Sequence, residues 1–139
     1  MKIGILSDTY LPQINGVSTS IETFKNEFEK KGHEVVIIGP KVESDTPSTE
    51  DVWRFRSVPF PFQKEYRLIL PISRKLKGFE THKFDILHGQ TPFTLGYLSL
   101  YLGKKYKIPI VHTYHTYFEK YMHYVPLLPK KMGIKYAKF

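Results

Sequence analysis

The stretch "HTYHTYFEKYMHYVP" holds His112 and His115 three residues apart, with His123 further on. Imidazoles so spaced offer either ligands to a metal such as zinc or hydrogen bonds to a polar ligand. The chain has no cysteine, and the nearby carboxylate is Glu119 alone, so the donor set for a metal is poor. Hydrogen bonding to a polyhydroxylated ligand is the better-supported chemistry. His112 has a further reading, as a histidine packed at a strand end. A second stretch, "DTYLPQINGVSTSIETF" (8–24), sets Asn15-Gly16 between a polar loop and the start of a helical pattern. A glycine there serves either a tight turn or the close approach of a phosphate to free helix N–H groups. Neither G-x-G-x-x-G nor G-x-x-x-x-G-K-[ST] occurs, which argues against dinucleotide and P-loop sites. Ser18 and Ser20 stand in no G-x-S-x-G frame, which argues against a hydrolase nucleophile.

These residues need elements to position them. "KIGILS" reads as a buried strand. Val17, Ile21, Phe24 and Phe28 then recur on one helical face, and "KKGHE" ends that helix, with Gly32 as its cap. "VVIIGP" is a second strand and "VWRFRSVP" a third, nearer an edge because of its charges. "FPFQKEYRLILP" reads as irregular. Pro71 then suits a first helical turn, with Ile69, Ile72, Leu76 and Phe79 on one side. "FDILHG" is a fourth strand. Thr91-Pro92 predicts the cap and first residue of the next helix, and "IPIVHTYH" holds the fifth strand and the loop after it. The end, "PLLPKKMGIKYAKF", reads as helical without a terminator. The fold class is therefore α/β, a Rossmann-like, mostly parallel open sheet with helices on both faces. Right-handed crossovers give the strand order 3-2-1-4-5. Ligands of such sheets bind beyond the carboxyl ends of the strands where the winding reverses. That places Ser7–Gly16, His88–Thr91 and His112–Thr116 around one crevice.

The chain has 139 residues, enough for one domain, with 41% hydrophobic residues and no run long enough to span a bilayer or act as a signal peptide. The lack of cysteine fits a reducing cytosol. Its net charge of +8 is lopsided: residues 1–63 hold 7 Lys/Arg against 9 Asp/Glu, and residues 64–139 hold 14 against 4. Lys64, Arg67, Arg74, Lys75, Lys77 and Lys83 surround the apolar stripe at 69–79. Lys130, Lys131, Lys135 and Lys138 form a second basic element near several aromatic residues. A basic amphipathic helix of this kind docks on an anionic membrane surface. The alternatives are a stripe that packs on the sheet, and a surface compensated by a partner domain. Nucleic-acid binding is disfavoured, because neither an RNP-like aromatic pattern nor a helix-turn-helix is visible.

"MKIGILSDTYLPQINGVSTSIETFKNEFEKKGHEVVIIGP" resembles the opening of retaining glycosyltransferases of family GT4, which have the GT-B fold. "FDILHGQTPFTLGYLSLYLGKKYKIPIVHTYHTYFEKYMHYVP" is similar to a later part of the same domain, and within the family the likeness is strongest to bacterial enzymes that glucosylate 1,2-diacylglycerol. The resemblance implies that residues 1–139 are the N-terminal, acceptor-side half of a two-domain protein. The nucleotide-sugar domain, with its E-x7-E motif, would lie outside the chain, and the chain alone would be inactive. It implies that Gly16, with Asn15, meets the donor diphosphate, where relatives often carry two glycines. It implies that His115 contacts the donor sugar near the reacting carbon and that Lys120 helps line the acceptor side. Asp8, Tyr10 and Gln90 would lie on the same rim. The expected co-substrate is a nucleotide sugar such as UDP-glucose, with no catalytic metal. The expected acceptor is a membrane lipid, with the protein peripheral on the inner face of the cell membrane; the alternatives are a family-GT4 transferase with a soluble or cell-wall acceptor, and a non-catalytic basic α/β domain that binds nucleic acid or membrane.

Overall fold

The computed structural model describes residues 1–42, 47–60 and 63–115. Five strands form one parallel sheet: β1 (Lys2–Leu6), β2 (Glu34–Pro40), β3 (Val52–Phe55), β6 (Ile86–Gly89) and β7 (Ile110–His112). Their order is β3-β2-β1-β6-β7, the 3-2-1-4-5 order expected once two further strands, β4 (Ser57–Phe60) and β5 (Gln63–Ile69), are counted. The winding reverses between β1 and β6, and their register pairs Ile5 with His88 and Leu6 with Gly89.

Both faces of the sheet are buried, as a parallel sheet requires. Side chains of successive strand residues alternate between two cores. Ile3, Ile5, Val35 and Ile37 pack with Val17 and Ile21 of α1 (Gly16–Lys30), and Phe24 and Phe28 of the same helix close that layer. Leu6, Val36, Ile38 and Leu87 face the other way and pack with Leu95, Leu98 and Leu102 of α2 (Thr94–Tyr106). Trp53, Phe79 and Phe84 complete this second core as an aromatic cluster, with Phe79 and Phe84 rings 5.1 Å apart.

The segment after β3 departs from expectation. The third parallel strand ends at Phe55, and β4 pairs antiparallel with β5 as a separate two-stranded ribbon, where an irregular stretch was expected. The helix expected from Pro71 does not form. Two short 3₁₀ turns, Arg74–Leu76 and Phe79–His82, stand in its place. The physical reasons are local. Gly78 takes the left-handed conformation at φ 71°, which breaks any helix through the expected stripe. Phe79 turns inward to the aromatic cluster, Ile69 is buried as the end of β5, and Ile72 is 82% exposed. The apolar spacing at 69–79 therefore does not mark one helical face. Among the described residues, no helix is long and apolar enough to cross a membrane.

Candidate functional site

The loops after β1 and β6 are bound to each other by a buried carboxylate. Asp8 is fully buried; its backbone N–H donates to Thr91 Oγ1 (2.9 Å), and Thr91 Oγ1 donates back to Asp8 Oδ2 (2.6 Å). Leu95 N–H, in the first turn of α2, donates to Asp8 Oδ1 at 3.1 Å. Asp8 thus caps a helix that starts far along the chain, at its positive end. Burial nevertheless raises its pKa to about 6, partly offset by the bonds from Thr91 and Leu95. The expected cap, Thr91, is not the capping residue: α2 begins at Thr94 behind Phe93, and the Thr91 hydroxyl serves Asp8. Gly96 is required here, because a Cβ on it would lie 2.1 Å from Thr91 O.

Asp8 is accordingly not on an open rim, and neither is Tyr10, which is 3% exposed. The Tyr10 hydroxyl donates to Glu22, and the Arg54 guanidinium lies 5.0 Å over its ring. Burial pushes its pKa up. All three residues expected on the rim, Asp8, Tyr10 and Gln90, are buried inside the fold: Ser7 through Tyr10 are all buried, and Gln90 is 1% exposed.

Asn15 is the N-cap of α1. Its Oδ1 accepts from Val17 N–H and Ser18 N–H, both at 3.0 Å, and Ser18 Oγ accepts from Asn15 N–H, which completes a capping box. Its Nδ2 donates to Thr9 Oγ1 at 2.7 Å, which ties α1 to the β1 loop. Two of the helix N–H groups expected to face an anion are therefore already used. Gly16 N–H, the first of the helix, has no partner among the described residues. Gly16 does not take a left-handed conformation, and a Cβ on it would meet nothing within 4 Å. Neither turn geometry nor packing calls for glycine there, and the space beside its backbone is open.

The histidines form one chain of contacts with Gln90. Gln90 is 1% exposed, and its backbone N–H donates to Leu6 O at 2.8 Å. His115 Nε2 lies 2.5 Å from Gln90 Oε1, and Gln90 Nε2 lies 3.0 Å from His88 Nε2. The same His88 nitrogen is 2.6 Å from Thr113 Oγ1. His88 packs edge-on against Phe24 of α1, with centroids 5.2 Å apart. Burial first, then the nearby His112 and His115, lowers its pKa to about 4, so it is neutral at pH 7. His112 and His115 are also lowered by desolvation. His112 is exposed, not packed in the core, with its ring edge against Gly89: a Cβ there would lie 2.7 Å from His112 Nδ1. Among the described residues, no three His, Asp or Glu side chains form a metal cluster.

The basic residues of 67–77 separate into two kinds. Arg67 Nε donates to Ser57 Oγ at 2.6 Å, and Lys75 Nζ donates to Thr49 O while lying 5.0 Å over the Trp53 ring. Arg74 and Lys77 are exposed. Without the expected helix they do not flank a stripe; exposed apolar side chains sit instead at Val58, Leu68, Leu70 and Ile72. Lys120, Lys130 and Lys131 lie outside the described residues. His88, Thr91 and Thr113 fall in the loops that the sequence places around the crevice, by their position at the carboxyl ends of β6 and β7, but the sequence alone assigns them no individual role.

At the carboxyl ends of β1, β6 and β7 the fold thus sets His88, His112 and His115, all with lowered pKa values, near the N-terminus of α1, where the backbone of Gly16 has open space beside it. The family model described as Glycosyltransferase Family 4 matches residues 14–138. The chain belongs to glycosyltransferase family 4. This family-4 domain is 41% identical to an alpha-monoglucosyldiacylglycerol synthase of Streptococcus pneumoniae, over 98% of the chain and 32% of that protein. It is 39% identical to a protein of the same name from Acholeplasma laidlawii, over 99% of the chain and 35% of that protein. It is 31% identical to a GDP-mannose-dependent alpha-mannosyltransferase of Mycobacterium tuberculosis, over 84% of the chain and 32% of that protein. The chain spans about a third of the length of these curated relatives. The parallel sheet is consistent with the N-terminal, Rossmann-like half of a GT-B fold.

Proposed function

We propose that this domain is the acceptor-side half of a glycosyltransferase that moves glucose from UDP-glucose to 1,2-diacylglycerol, with retention, at the inner face of the cell membrane. The observation that carries this reading is the 41% and 39% identity to two alpha-monoglucosyldiacylglycerol synthases across nearly the whole chain. A second domain, beyond these residues, would bind most of the nucleotide sugar. Gly16, with open space beside its backbone, would admit the donor diphosphate to the α1 N-terminus; departure of the nucleotide builds negative charge there, and donors aimed at it favour the transition state. His115 would contact the sugar near the reacting carbon, and Lys120 the acceptor side. No catalytic metal is required in this scheme.

The exposed Val58, Leu68, Leu70 and Ile72, with the exposed cations Arg56, Arg74 and Lys77, would face the bilayer. Lys130 and Lys131 would extend that basic surface. The 31% identity to a GDP-mannose-dependent enzyme keeps a mannosyl donor as the second reading. The test is to incubate the full-length protein with vesicles of diacylglycerol and an anionic lipid, with labelled UDP-glucose in one arm and labelled GDP-mannose in the other. Label in the lipid phase from UDP-glucose alone is the expected result. Lipid label from GDP-mannose alone would replace the donor. Label only in water-soluble products would replace the lipid acceptor.

A further inference from the structure

We propose that Gln90 is a positioning residue for His115: its side-chain amide bridges two histidines and decides which nitrogen of His115 keeps its proton. The inference rests on the reading above that His115 meets the sugar. A buried amide must have both ends satisfied. At Gln90 the two ends meet His88 Nε2 at 3.0 Å and His115 Nε2 at 2.5 Å, and the backbone is fixed to Leu6 O at 2.8 Å. A carbonyl oxygen only accepts, so His115 Nε2 must carry hydrogen in the neutral ring as well as in the charged one. Nδ1 is then the nitrogen left to accept a hydrogen bond from a ligand hydroxyl.

The direction of the amide is set from behind. His88 is buried, wedged against Phe24, and its lowered pKa keeps the ring neutral; in the Nδ1–H tautomer its Nε2 accepts from the Gln90 NH₂ group, with the Thr113 hydroxyl oxygen 2.6 Å from the same nitrogen. Rotating the amide by half a turn would require the opposite tautomer of both histidines, so the three groups hold or switch together. Order at one end therefore enforces order at the other. The titratable groups acting on this chain of contacts are His88 of β6 and His112 of β7, both histidines that disfavour added positive charge. An amide at position 90, unlike a carboxylate, supplies an acceptor without drawing a proton onto His115. His115 is thereby kept neutral, with a defined acceptor, in a site that must bind sugar hydroxyls.

The test uses the full-length protein with ¹⁵N-labelled histidine, with His115 assigned by a His115→Gln variant. Long-range ¹H–¹⁵N spectra between pH 5 and 8 are expected to show His115 in the Nε2–H form, titrating below 6.5. In Gln90→Glu the His115 pKa is expected to rise by about one unit or more, as a carboxylate within hydrogen-bond reach of an imidazole dictates. The acidic limb of the transfer rate should move up with it. In Gln90→Met the same nitrogen loses its single defined state, and kcat should fall tenfold or more with little change in KM. His115 in the Nδ1–H form, or an unmoved pKa in Gln90→Glu, would overturn the proposal. The spectra need no turnover: absence of transfer by the unaltered protein would overturn the functional reading alone.

Discussion

Replacing Asp8 by Asn tests the buried cap through its pH dependence. Burial holds the Asp8 carboxyl at about 6 against an ordinary 3.8. A carboxyl raised in this way contributes stability that is fully present below its unfolded pKa and is lost as pH rises through its folded pKa. A separation of about two pH units, at about 1.36 kcal/mol each, makes the loss between pH 4 and pH 7 roughly 3 kcal/mol. His88 works in the opposite sense. It is held near 4 against an ordinary 6.5, so its contribution is present above 6.5 and lost as pH falls toward 4. The two offset each other between pH 4 and 6, and the unaltered protein should show a nearly flat profile from this pair. Asp8→Asn keeps an acceptor for Leu95 N–H and sets its NH₂ against the Thr91 hydroxyl oxygen, while removing the titration. Subtracting the two proteins also removes His88 from the comparison. Urea unfolding at intervals from pH 4 to 8 should therefore show Asp8→Asn gaining roughly 3 kcal/mol on the unaltered protein by pH 7. A stability difference that stays constant with pH would refute the reasoning.

Four other variants test the local geometry. Gly96→Ala places a Cβ 2.1 Å from the Thr91 carbonyl oxygen, so urea unfolding should show a loss of about 3 kcal/mol. Gly16→Ala meets no neighbour, so its stability should stay within about 1 kcal/mol of the unaltered protein. Its affinity for a UDP-sugar should nevertheless fall, read by calorimetry on the full-length protein. Reversing the exposed Arg74 and Lys77 to Glu should weaken binding to anionic vesicles by about tenfold or more, at about 1 kcal/mol per surface cation; Lys75→Ala should act mainly on stability, because its ammonium lies against Trp53.

The legible parts of the fold were those whose pattern and packing agree. The short apolar runs at Lys2–Leu6 and Glu34–Pro40 bury both faces, and Val17, Ile21, Phe24 and Phe28 pack as their helical spacing implies. The sheet order followed from handedness alone. Residues 57–82 were not legible, because their apolar residues answer to different neighbours: Ile69 to the main core, Phe79 to Trp53 and Phe84, Ile72 to none. The crevice was legible as three converging loops. The duties of its residues were not. Asp8 caps a helix 87 positions away, and Gln90 and His115 meet across 25. No local spacing encodes such contacts; they exist only once β1, β6 and β7 lie side by side.

The most direct test of the central claim is the rate of hexose transfer by the full-length protein carrying His115→Ala. If the crevice at the ends of β1, β6 and β7 is where the sugar changes hands, label from UDP-glucose should reach diacylglycerol about a hundredfold or more slowly. Its urea unfolding should show a loss of no more than about 1–3 kcal/mol, the cost of leaving Gln90 Oε1 without its partner, so that the protein stays folded in the assay. Transfer at the unaltered rate would contradict the account and move the site away from His115.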